Sequence, residues 1–126
     1  MSVRIVKRPD LGVTVVEIAG ELDIDSAPAF RECLTRVVRD GGARIVVDAR
    51  GLWFCDSIGL SSLITTQQAC TARGGFLRLA GADEALLRLL LIVGLLDYVT
   101  AYASVEAAAS GDPAARAYAE HARAAL

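Results

Sequence analysis

A chain of 126 residues with 54% apolar and 22% charged side chains is long enough for one packed domain and too apolar to stay disordered. Thirteen basic and fifteen acidic residues leave a net charge of −2, and the arginines are scattered, which argues against direct nucleic-acid binding and attachment to an acidic membrane. Three cysteines without metal-ligand spacing and a single histidine, His121, offer too few ligands for zinc and read as reduced thiols of a cytoplasmic protein.

The opening residues alternate and carry charge, so 3–7 is expected as an edge strand rather than a leader peptide. A turn at Pro9-Asp10-Leu11-Gly12 leads into a second strand over 13–19. Asp25-Ser26-Ala27-Pro28 then reads as a helix start, with Asp or Ser as the cap and Pro in the first turn. Phe30, Leu34, Val37 and Val38 follow helical spacing until Gly41-Gly42 stops the helix. Residues 44–48, with Ile45-Val46-Val47 inside, suit a central strand, and Arg50 and Trp53 fall in a linker after it.

From Ser57 the spacing is helical again, with Leu60, Leu63, Ile64 and Cys70 inward and Ser61, Thr65, Gln68 and Arg73 outward, up to Gly74-Gly75. A strand over 76–79 and a helix from Glu84 to about Val93, capped by Asp83 and ended by Gly94, come next. A last strand at 98–102 and a helix from 104 complete the pattern, and 111–126 is expected as a helical extension of the domain at 1–110. The order β-β-α-β-α-β-α-β-α predicts an α/β domain: a mixed sheet of about five strands packed against about four helices. In the third helix Leu86, Leu90 and Val93 form a sheet-facing stripe, yet Leu87, Leu89, Leu91 and Ile92 exceed one face. Loops and the last helix cover the excess, or it is an exposed patch for a partner or dimer, so a monomer or weak dimer is expected.

Chemistry concentrates at Phe54-Cys55-Asp56-Ser57-Ile58-Gly59-Leu60. A serine between a strand and a helix is commonly just a cap, and either Asp56 or Ser57 can be that cap, with Cys55 and Leu60 at staple positions. Gly59 is poor chemistry inside a first helical turn, so something other than helix stability is expected to favour it, such as close approach of a partner's backbone. A hydrolase elbow needs Gly-x-Ser-x-Gly and a histidine, whereas Cys55 stands at the first Gly position. No nucleotide-binding glycine motif occurs, and no cofactor is implied. A phosphoacceptor role for Ser57 fits the chemistry, because a helix N-terminus tolerates the added charge while Asp56 repels it.

Taken in order, Gly20-Glu21-Leu22-Asp23, Ile45-Val46-Val47-Asp48, Leu52 with Phe54, Asp56-Ser57-Ile58-Gly59-Leu60 and Gly94-Leu95 resemble the STAS family over residues 3–108, specifically its bacterial anti-sigma factor antagonists. The resemblance implies an adaptor and not an enzyme. Such a protein binds an anti-sigma factor serine kinase when unphosphorylated, which frees a sigma factor. The kinase, using ATP and Mg²⁺, switches it off, and a serine phosphatase of the metal-dependent class resets it. The family's phosphoacceptor falls on Ser57, the motif acid on Asp56 and a second contact acid on Asp23; Ile58, Gly59 and Ser61 are expected in the docking surface. Asp23→Arg should then weaken kinase binding without altering thermal unfolding. Some relatives of this kind are non-phosphorylated sensory or scaffold modules that bind a small ligand or a larger signalling complex, which is the alternative expectation.

Overall fold

The computed structural model describes residues 1–117. Five strands, β1 (Ser2–Arg8), β2 (Val13–Leu22), β3 (Arg44–Cys55), β4 (Phe76–Ala80) and β5 (Ala101–Tyr102), lie side by side in sequence order. β1 pairs antiparallel with β2, and every later neighbour is parallel. Four helices complete the domain: α1 (Ala27–Arg39), α2 (Ser57–Ala72), α3 (Glu84–Ile92) and α4 (Val105–Ser110). The element order matches the alternation read from the sequence.

Strand order without reversal, joined by helical crossovers of one hand, stacks α1, α2 and α3 on the same face of the sheet. The larger core lies there, where Phe30 and Leu34 of α1, Leu63 of α2 and Leu90 of α3 meet Val16, Ile45 and Leu77 from the strands. A smaller cluster on the other face packs Ala108 of α4 against Val15, Val46 and Tyr102. Because strand side chains alternate, Val15 and Val46 face α4 while Val16 and Val47 face the main core.

Several expectations change. β3 does not stop at Asp48 but continues to Cys55, so Arg50 and Trp53 belong to the strand and not to a linker. The third helix ends at Ile92; Val93 is its exposed C-cap and leaves the inward stripe to Leu86 and Leu90. Leu87, Leu89 and Leu91 are partly buried at the core margin, so most of the apolar excess is covered within the domain. On α2, Ser62 and Thr66 join the buried face because their hydroxyls donate to carbonyls of their own helix, Gly59 O at 2.6 Å and Ser62 O at 2.8 Å. The last strand is only two residues long. Beyond α4, Pro113–Ala115 makes a 3₁₀ turn and Arg116 bridges antiparallel to Tyr102, closing the edge beside β5. The helix expected over the tail falls mostly on 118–126, outside the described residues, as does His121.

Candidate functional site

The parallel strands β2 and β3 end at the same side of the sheet, where α/β sheets place their binding crevices. Two connections meet there: the loop 23–26 between β2 and α1, and the turn at Asp56 between β3 and α2.

Asp56 is the N-cap of α2. Its backbone is extended, and Oδ1 accepts hydrogen bonds from the Ile58 N–H at 3.0 Å and the Gly59 N–H at 2.9 Å. Oδ2 accepts from the Ile24 N–H at 3.0 Å, and the Asp56 N–H donates to Leu22 O at 3.1 Å. Of the two capping options, the structure takes Asp56, and this one carboxylate also ties the loop after β2 to the start of α2. Ser57 is thereby the first residue of α2, and it is exposed. Among the described residues, no side chain hydrogen-bonds its hydroxyl.

Gly59 is buried rather than part of an outer surface. A Cβ there would lie 2.5 Å from Leu22 O and 2.7 Å from Leu22 Cγ, so the close backbone approach expected at this glycine comes from β2 of the same chain and not from a partner. The first turn of α2 presses directly on the end of β2, which fixes Ser57 relative to the sheet. Ser57, Ile58 and Ser61, spaced three and four residues apart, share the exposed face of α2.

Asp23 organises its own loop. Its Oδ1 accepts from the Asp25 N–H and the Ser26 N–H, both at 3.0 Å, and lies 3.1 Å from Ser26 Oγ. These contacts, the Ser26 N–H foremost, hold the Asp23 carboxyl below the usual aspartate range. Neither Asp25 nor Ser26 caps α1 with its side chain; Ser26 sits at the cap position, but its Oγ instead accepts from the Asp23 N–H at 2.9 Å and donates to Glu21 O at 2.9 Å. Gly20, at φ +99°, turns the strand into this loop with a backbone that suits glycine, and a Cβ there would approach Met1 Cα at 3.3 Å.

The structure thus brings Asp23, Asp56, Ser57, Ile58 and Ser61 to one end of the domain. Sequence reasoning missed the apolar residues exposed around them: Ile24, Trp53 and Phe54. The signal for Trp53 and Phe54 was four consecutive apolar residues, Leu52-Trp53-Phe54-Cys55, which no regular strand can bury on one face. The three cysteines are free and buried, and burial raises the thiol pKa to about 12 at Cys55 and about 11 at Cys70. Neither is a nucleophile at neutral pH. Among the described residues, no His, Cys, Asp and Glu side chains gather as a metal site, and no helix is long and apolar enough to cross a membrane.

A rigid α/β scaffold that displays one serine beside a locked carboxylate, ringed by acidic and apolar side chains, defines a small docking domain. The chain belongs to the STAS domain family, whose model matches residues 3–108. It is 36% identical over 91 residues to the anti-sigma-B factor antagonist of Bacillus subtilis (strain 168), covering 72% of this chain and 83% of that protein. The crystal structure of an anti-sigma factor antagonist from Mycobacterium paratuberculosis superposes with a TM-score of 0.76 at 25% identity, covering 87% of this chain and 92% of that one. The Bacillus cell fate determinant SpoIIAA in its phosphorylated form shares the fold, with a TM-score of 0.64 at 19% identity and coverage of 87% and 98%.

Proposed function

We propose that this protein is an anti-sigma factor antagonist that binds an anti-sigma serine kinase through the Ser57 face and is released when Ser57 is phosphorylated. The observation that carries the reading is the exposed Ser57 hydroxyl at the first position of α2, held in place by Asp56 and backed by Gly59 against β2. The relatives named as antagonists supply the partner class. In the transfer step, Ser57 Oγ attacks the γ-phosphorus of ATP, the bond to the ADP oxygen breaks, and the hydroxyl proton passes to a base of the kinase. Asp56 is assigned a structural role instead, since its carboxylate accepts three backbone N–H bonds that tie the loop after β2 to α2. Asp23, Asp56, Ile58 and Ser61 lie in or directly beneath the docking surface, while Gly59 supports it from inside. A metal-dependent serine phosphatase restores the free hydroxyl.

The ligand-binding alternative has less support. The cavity of about 350 Å³ beside α4 on the second sheet face is lined by Arg4, Arg8, Glu17, Asp48, Arg50 and Glu106 among others. Its arginines are already paired: Arg4 to Glu17 at 2.6 Å, Arg8 to Asp10 at 2.9 Å and Arg50 to Asp48 at 2.7 Å.

The test is the intact mass of wild type and Ser57→Ala after incubation with anti-sigma kinases, ATP and Mg²⁺. One added phosphoryl group on wild type alone supports the switch. Tight binding of a kinase with no mass change would replace it with a scaffold role.

A further inference from the structure

β3 departs from regular pairing as it approaches Ser57. Gly20 pairs with Leu52, but the next residue of β2, Glu21, pairs with Phe54. Trp53 therefore opposes nothing on β2 and is the extra residue of a bulge, a device that re-aims a side chain at a strand end. No strand supports it from the other side, since β4 stops pairing with β3 at Asp48. The indole is left 64% exposed, although its neighbours Leu52 and Cys55 on the same strand are each 3% exposed. Phe54 stands beside it with ring centroids 6.5 Å apart at 53°. Ile24 and Ile58, also exposed, sit on the two connections that flank Ser57, and the Ile24 N–H bond to Asp56 ties those connections together. Apolar surface concentrated on one end of a small domain marks an interaction site, and tryptophan is among the residues most enriched at binding hot spots.

Charge identifies the occupant. Trp53 walls a cleft of about 510 Å³ shared with Glu21, Asp23 and Asp25. Residues 20–26 and 51–61 hold those three carboxylates and Asp56 and contain no Lys or Arg; the terminal amine of Met1 is at the cleft margin. A second copy of this chain would set the same carboxylates against one another, whereas a basic partner would meet them.

We propose that Trp53 is the anchor of the Ser57 face, inserting into an apolar pocket of the kinase whose rim carries Lys or Arg side chains. The inference rests on the reading of Ser57 as the kinase's substrate and states what the kinase presents where it grips.

Trp53 is the only tryptophan, so protein grown with 5-fluorotryptophan gives a single ¹⁹F resonance. Adding the kinase should shift that resonance, and added salt should weaken the complex. Trp53→Ala should lower affinity about tenfold or more and raise KM for Ser57 phosphorylation. Trp53→Arg should bind more weakly still because it opposes the basic rim, with both variants keeping the wild-type unfolding midpoint. A Trp53→Ala protein that binds within about twofold of wild type and is phosphorylated at unchanged KM overturns the anchor and leaves the phosphorylation reading standing. A resonance that moves with protein concentration alone assigns the indole to self-association and also overturns it. Wild type that no kinase binds or phosphorylates removes the underlying reading and the anchor together.

Discussion

At the scale of single residues, the site separates groups that build it from groups that a partner can touch. Asp56 accepts three backbone N–H bonds, so its side chain matters as an acceptor before it matters as a charge. Asparagine is as good a helix cap as aspartate. Asp56→Ala should therefore lose about 1–2 kcal/mol in denaturant unfolding, while Asp56→Asn keeps the cap to Ile58 and Gly59 through its one amide oxygen, loses the Ile24 N–H bond, and so recovers only part of that stability. If both lose the same amount, the charge rather than the cap holds the turn. Gly59→Ala drives a methyl into Leu22 O and should cost about 1–3 kcal/mol while reducing Ser57 phosphorylation, because α2 must shift to accommodate it. Asp23→Arg, expected from the sequence to spare stability, removes the acceptor of the Asp25 and Ser26 N–H groups and should lower the unfolding midpoint as well as partner binding. The DSIGL motif made Ser57 and its neighbours legible in the sequence. The inward placement of Gly59 was not, because nothing in the motif says which chain supplies the close backbone.

At the scale of elements, caps and glycine stops read well and interrupted patterns read poorly. Asp83 caps α3 through the Leu86 N–H at 2.8 Å, as the sequence indicates. Val93 misled because it fits the helical stripe yet falls one residue past the last helical turn. Leu90→Ala should cost about 2–5 kcal/mol by opening a cavity in the main core, whereas Ile92→Ala, at a residue 63% exposed, should change unfolding by less than about 0.5 kcal/mol. Equal losses at the two positions would mean that the exposed end of α3 is covered in solution, by the tail or by a second copy. The sequence pattern of β3 ends early for a related reason. Its bulges break the period-2 alternation after Asp48, and a strand without alternation looks like a linker. The bulge that hid the strand also exposes Trp53, so what blurred the sequence pattern is what shapes the docking face.

At the scale of the whole molecule, the core and the switch are separate. Burial raises the Cys55 and Cys70 thiols to about 12 and about 11, while an unfolded cysteine ionises near about 8.5. A raised folded pKa gives stability that is complete below the unfolded value and is lost as pH rises through the folded one. The unfolding midpoint should hold to about pH 8 and fall progressively above it, and replacing Cys70 with alanine should flatten that fall. Phosphorylation, by contrast, acts outside the core. Ser57 is exposed, and Asp56 holds α2 through backbone donors at Ile58 and Gly59 that the serine hydroxyl does not use. A phosphoryl group there gains from the helix N-terminus and loses from repulsion by Asp56, two opposed effects of about 1 kcal/mol or less on an exposed group. The phosphorylated protein should therefore melt within about 3 °C of the free form, with hydrogen-exchange changes confined to residues 23–26 and 56–61. The face is already acidic, so against a basic kinase the added charge strengthens long-range attraction. Release must then come from contact, where a dianion beside Ile24 and Ile58 would have to be stripped of water without a matching partner. On that account salt does not rescue binding of the phosphorylated form. Recovery of tight binding at high salt would instead make long-range repulsion the switch and give the kinase an acidic contact surface.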